Sequence, residues 1–160
     1  MLLLLAGVLA ACSPVLDWRE VALDEAGLKV LLPCKPDHGE RDLPIGPAVL
    51  HLRMVGCEAG GSLFAVAHAA VPEGLASAEV VAAWRSAALA AMRAAPDAQE
   101  DDGRLTARGR RPDGRPVYAQ AAWRVLADRA PAQVVQAVVY SAEPLAGDAA
   151  DTFFGAVEPR

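Results

Sequence analysis

Two stretches, PVYAQAAWRVL at residues 116–126 and QVVQAVVYS at residues 133–141, decide the fold. Both are rich in β-branched and aromatic residues, and only a short connection separates them, so they read as an antiparallel hairpin. Val117, Ala119, Ala121, Trp123 and Val125 share one parity in the first run, and Val135, Ala137 and Val139 share one in the second. If these parities face each other, Trp123 lies beside Ala137, a large side chain over a small one.

Working upstream, Leu105–Arg110 is a short polar strand candidate, followed by the turn signal Pro112-Asp113-Gly114. Residues 78–95 repeat at helical spacing. Val81, Trp84, Ala88 and Met92 form a stripe, Ser77 suits the N-cap, Glu79 sits in the first turn, and Pro96 ends the run. Before the helix, Ala48, Leu50, Leu52 and Met54 alternate with Val49, His51, Arg53 and Val55. Phe64, Val66 and Ala70 share one parity after a turn at Cys57–Gly61. Bringing these apolar sets onto one side pairs Leu52 with Val66. Pro33, Pro36, Pro44 and Pro47 break the chain, which makes residues 33–47 a loop. Asp17–Leu23 and Gly27–Leu32 flank Asp24-Glu25-Ala26-Gly27 as a first hairpin, with Leu28, Val30 and Leu32 on one face. Downstream, about Asp148 to Phe154 is a short helix, and Gly155–Val157 adds an edge strand. The expected class is α+β: an antiparallel sheet built from hairpins, packed on one main helix (about 78–95) and a short C-terminal helix.

The 160 residues carry a net charge of −5, a balance that disfavours nucleic acid as a partner. Hydrophobic residues make up 54%, inflated by alanine and by the first ten or so positions. The chain opens MLLLLAGVLAACSP, with no charge between Leu2 and Ala11. Ten helical residues reach roughly 15 Å, half of a ~30 Å hydrocarbon core. That length suits the apolar region of a signal peptide. Leu9-Ala10-Ala11-Cys12 resembles the lipobox of bacterial lipoproteins. The absence of Lys or Arg ahead of Leu2 departs from the signal-peptide pattern. The resemblance implies cleavage after residue 11, diacylglycerol on the Cys12 sulfur and an acylated new amine. It divides the chain into a signal peptide (1–11), a lipidated tether (12–16) and one domain (17–160). It places the protein in the bacterial cell envelope, held to the membrane by the acyl anchor. Ser13, rather than an Asp, favours the outer membrane, facing the periplasm.

With Cys12 lipidated, Cys34 and Cys57 are an even pair in an oxidising compartment and are expected to form a disulfide. The alternatives are two free thiols or a Cys/His metal site. The stretch GLKVLLPCKP (27–36), the Gly-rich hairpin, the helix after VPEG (71–74) and the closing DTFFGAV (151–157) resemble small bacterial lipoproteins with a PsbP-like fold. That resemblance implies the same α+β sandwich, in a group whose members are largely uncharacterised and many of them non-enzymatic.

Chemistry is sparse. H-E-x-x-H, the phosphate-binding G-x-x-x-x-G-K-[ST], G-x-S-x-G and C-x-x-C are all absent. No cofactor or metal is expected, and the chain reads as a non-enzyme. The expected register puts His68 on the core face and His51 with Arg53 on the other, so the two histidines do not meet. His38 reads as solvated. Arg104, Arg108, Arg110, Arg111 and Arg115 fall within twelve residues and are candidate contacts for anions such as phosphate or carboxylate. The plainer reading of that run is a solvated hairpin rim whose charges pair with Asp97, Glu100, Asp101 and Asp102. Trp18, Trp84 and Trp123 read as core. The functional expectation is an interaction or structural module of the envelope with a protein partner. The alternative is a lipid or small-ligand carrier using space between helix and sheet, and a hydrolase comes last. A deep apolar cavity would favour the carrier, and a cleft gathering His51, His68 and acids would favour the enzyme.

Overall fold

A computed structural model describes residues 15–145 and 147–159. Gly27 at positive φ closes the first hairpin, β1 (Arg19–Leu23) and β2 (Leu28–Leu32), where Val21 pairs with Val30. The expected residues form this hairpin. A short C-terminal strand, β10 (Glu158–Pro159), lies just beyond the expected one and joins β2 in a small sheet of order β1-β2-β10. The remaining strands are β3 (Asp37–Ile45), β4 (Ala48–Ala59), β5 (Ser62–Ala70), β6 (Gln99–Asp101), β7 (Arg104–Arg110), β8 (Pro116–Leu126) and β9 (Gln133–Ser141). Helices α1 (Ser77–Ala91) and α2 (Gly147–Gly155) complete the α+β architecture. The large sheet is antiparallel throughout, in the order β3-β4-β5-β9-β8-β7-β6.

Three layers result. One face of the large sheet packs on the small sheet and α2: Leu28, Val30 and Leu32 meet Val55, Phe64, Val66 and Val139. Phe64 of the sheet meets Phe153 of α2 edge-to-face with centroids 5.4 Å apart, and within α2 Phe153 lies edge-on to Phe154 at 5.1 Å. The other face packs on α1, with Val80 and Trp84 over Leu50, Leu52 and Val134. Met92 covers Ala107, Val117 and Ala119.

The layering explains several departures from the sequence reading. Central strand β9 is buried from Val134 to Val139 on both faces, so its alternation carries no register information. Trp123 pairs with Gln136, and Ala137 pairs with Ala122, one position from expectation. Trp123 therefore lies on the α1 side, against the cluster containing Trp84. Likewise β4 runs on to Ala59 and turns tightly at Gly60-Gly61, both at positive φ, a two-residue hairpin favoured by the right-handed strand twist. Val66 consequently pairs with Val55 rather than Leu52. Leu50 and Leu52 face α1, while Val55, Cys57, Phe64 and Val66 face the small sheet.

Residues 33–47 are largely a strand, not a loop. Pro33 and Pro36 precede β3, and Pro44 sits on its outer edge, where a missing N–H breaks no ladder. Helix α1 stops at Ala91, short of Pro96. Arg93 at φ 47 makes the left-handed turn, with Arg93 N–H donating to Ala90 and Ala94 N–H to Leu89, a Schellman ending. At the other end, Ala76 rather than Ser77 is the N-cap. The Glu79 carboxylate reaches back to accept from the Ala76 N–H at 2.9 Å.

Cys34 and Cys57 form a disulfide with a Cα–Cα distance of 5.9 Å. It ties the end of β2 to β4 and so joins the two sheets. Cys12 and the expected signal segment lie outside the described residues. Of the expected tether, Val15 and Leu16 are described and belong to neither helix nor strand.

Candidate functional site

The small sheet covers only part of the face it packs against. Beyond its β1–β2 turn, the face continues across β3, β4 and β5 and becomes polar. Strand pairing sets Glu40 opposite Arg53, Asp42 opposite His51, and Arg53 opposite His68. Because paired residues in a ladder project to the same side, all five side chains belong to one face. Glu25, in the β1–β2 turn, overhangs this floor and is ion-paired to Arg53.

The result is an open cleft in two lobes, of about 640 Å³ and about 720 Å³, which share Glu25, Arg53 and His68. All three histidines of the chain line it: His38 in the first lobe, His51 in the second and His68 in both. The expectation that His51 and His68 lie on opposite faces is therefore corrected. The tight Gly60-Gly61 turn shifts the register by an odd number of residues and flips β5 relative to β4.

The charges here are largely satisfied by one another. Arg53 spans Glu25 and Glu40, the latter at 3.3 Å, and His51 Nδ1 lies 2.6 Å from Asp42 Oδ1. His68 is buried, and burial lowers its pKa below the ordinary 6.5. The Gln133 side chain and the Glu25 charge pull the other way, and Arg53 adds to the lowering. At neutral pH its imidazole is uncharged. Among the described residues, no Ser, Thr or Cys lines either lobe. Among the described residues, no group of three or more His, Cys, Asp or Glu is placed to hold a metal ion.

The arginine run lies elsewhere and divides into two sets. Arg108 pairs with Asp97 and Arg115 with Asp113, holding both carboxyls below their usual 3.8. Arg104 lies 3.4 Å from Asp151, and its guanidinium stacks 4.4 Å from the Phe154 ring centroid, pinning α2. Glu100 pairs not with this run but with Arg85 on α1. Arg110 donates to the Gly114 carbonyl at 3.0 Å. Among the described residues, neither Arg110 nor Arg111 has a carboxylate bonded to it. These two line a second groove, of about 280 Å³, between the end of α1 and β8 and β9. Its floor is apolar, with Leu63, Ala88, Ala91, Met92 and Val117, and Tyr140 forms part of the wall. Beneath α1 the space narrows to a void of about 10 Å³ lined by Trp123 and Tyr140. The buried Trp123 Nε1 has no hydrogen-bond partner among the described residues.

The sequence reading missed the Glu25–Arg53–Glu40 clamp and the place of Tyr140 in the groove wall. The available signal was the Gly60-Gly61 doublet, whose two-residue turn fixes the facing positions of β4 and β5. No family model, curated protein or solved structure matches this chain.

Proposed function

We propose that this chain is a lipid-anchored bacterial lipoprotein, probed best as an interaction or structural module of the cell envelope. The observation that carries this reading is the Cys34–Cys57 disulfide. It accounts for two of the three cysteines and suits an oxidising compartment, leaving Cys12, at the end of the apolar leader, as the thiol for lipid. One fatty chain holds a protein only marginally, whereas several on one residue hold it nearly irreversibly. Ser13 argues for the outer membrane, facing the periplasm. The order of hairpins and helices is the support for a PsbP-like fold, which remains part of the proposal.

The docking surface we assign is the uncovered polar face around Arg53, His51 and Glu40. The only large apolar side chains exposed among the described residues are Val15, Val49 and Val125, which argues for a polar partner surface rather than an apolar one. A carrier of whole lipids lacks room, because the seam under α1 closes to about 10 Å³. The cleft does gather His51, His68 and acids, as an enzyme would, and those carboxylates and imidazoles are the groups a hydrolase there would use, which keeps a hydrolase as the last of the three readings.

The test is fractionation of cells expressing the wild type and Cys12→Ala, with intact masses of both. The wild type is expected in the membrane fraction with a mass raised by acyl groups, and the variant in the soluble fraction. A wild-type chain that begins at Met1 with its bare sequence mass overturns the reading. For the docking face, a photo-crosslinking residue placed at position 42 in intact cells is expected to trap a protein that one at Ser86, on the exposed side of α1, does not. Equal trapping at both positions overturns that assignment.

A further inference from the structure

We propose that the groove at the C-terminal end of α1 binds a small amphipathic anion, an alkyl carboxylate whose head sits on Arg110 and Arg111. This inference stands on the domain alone and does not depend on the lipoprotein reading. Three observations meet at one place.

The first is charge. Of the five clustered arginines, Arg104, Arg108 and Arg115 are each taken by a carboxylate, and the two that are not are the two lining the groove. Arg111 stands within electrostatic reach of Asp113, but both oxygens of that carboxylate are already bonded by Arg115. Planar guanidinium groups present their donors in a fork that matches a carboxylate.

The second is the floor. Ala88, Ala91, Met92, Val117 and Leu63 make it apolar, and the small alanines of α1 are what leave it open. An apolar pocket with a few polar groups at one end is the general form of a small-molecule site. The third is Tyr140 in the wall. Burial pushes its pKa up, so it remains a neutral hydroxyl able to donate.

Size limits the ligand. A space of about 280 Å³ corresponds to roughly nine water-sized units at about 30 Å³ each. That admits a carboxylate with a medium-length chain and excludes a diacyl lipid.

The experiment uses the full chain carrying Cys12→Ala, labelled at its methionine methyls, with octanoate as the probe. Octanoate is expected to shift the Met92 methyl saturably and leave Met54, which lines the histidine cleft and not this groove, in place. Octan-1-ol and acetate, each lacking one half of the recognition, are expected to bind at least about tenfold more weakly. The double change Arg110→Gln and Arg111→Gln, which gives up one surface hydrogen bond to the Gly114 carbonyl, is expected to weaken octanoate by about tenfold with the fold retained. Ala91→Phe, which fills the floor and leaves both arginines, is expected to abolish the shift. An unmoved Met92, equal binding of octan-1-ol, or full binding by both variants overturns the proposal. So does a Met92 shift seen only with phosphatidylglycerol vesicles, which would assign the arginines to a bilayer headgroup instead.

Discussion

His68 shows how one side chain takes its character from the strands around it. It lies in β5, and its own neighbours along the chain are alanines. Its chemistry comes instead from Arg53 across the ladder, Glu25 in the overhanging turn and Gln133 at the start of β9. Burial is the largest influence and disfavours the imidazolium. The unfolded chain takes up a proton as pH falls through 6.5, while the folded chain resists until a lower pH. In that window the unfolded state binds more protons, so stability falls as pH falls. Asp97 and Asp113, held down by Arg108 and Arg115, act only below their ordinary 3.8 and do not enter it. Thermal melting at pH 7 and pH 5 is therefore expected to show a smaller drop for His68→Gln than for wild type. An equal drop in both would remove His68 as a source of acid sensitivity.

At the scale of elements, α1 is placed by its end as much as by its apolar stripe. Past Ala91 the chain makes its left-handed turn at Arg93 and lies along β7. Arg110 N–H donates to the Met92 carbonyl, and Ala95 N–H to the Arg108 carbonyl, both at 2.7 Å. Gly109 sits between these bonds. A Cβ there would fall inside van der Waals contact of the Met92 carbonyl oxygen, a backbone atom that cannot rotate away. Gly109→Ala is expected to cost about 1–3 kcal/mol, the usual range for overpacking, read as a lower urea midpoint. A midpoint equal to wild type would show that α1 does not depend on this approach. The two bonds also explain why the helix ends before Pro96. The stripe of Trp84, Ala88 and Met92 was legible from spacing alone, but the N–H groups of residues 94 and 95 are claimed by helix cap and strand, which spacing does not show.

Turn chemistry made β1, β2, β8, β9 and α2 readable, because Gly27 and the hairpin composition mark chain reversals locally. Faces were harder. In β4 and β9, apolar residues occupy both parities because the large sheet is sandwiched, and alternation then has two equally good readings. The histidine cleft was hidden for the same reason, since its existence depends on which way β5 faces. The arginine run was visible in the sequence, but its division into paired and unpaired members was not, because Arg104 finds its partner Asp151 in α2, far along the chain.

At the scale of the whole molecule, the layers are held by packing and by the Cys34–Cys57 disulfide. The small sheet meets the large one through Leu28, Val30 and Leu32 on one side and Val55, Phe64 and Val66 on the other. Strand β2 ends at Leu32, and Cys34 follows two residues later to reach Cys57 on β4. The bond therefore fixes one end of the small sheet, while at the other end Ala26 and Leu28 are buried in the core, Arg129 donates to the Gly27 carbonyl at 3.2 Å, and Glu25 is ion-paired to Arg53. An exposed pair of that kind contributes about 0–1 kcal/mol. Closing a loop with a sequence separation of 23 is worth about 3 kcal/mol in the chain-entropy model. Cys34→Ala with Cys57→Ala is therefore expected to destabilise the fold by about 3 kcal/mol, whereas Glu25→Gln is expected to change stability by under about 1 kcal/mol. Denaturant unfolding of the two variants checks the ordering. If Glu25→Gln proves the more costly, the polar end and not the disulfide is what secures the two sheets to each other, and the cleft around Arg53 is a structural clamp rather than a surface left open for a partner.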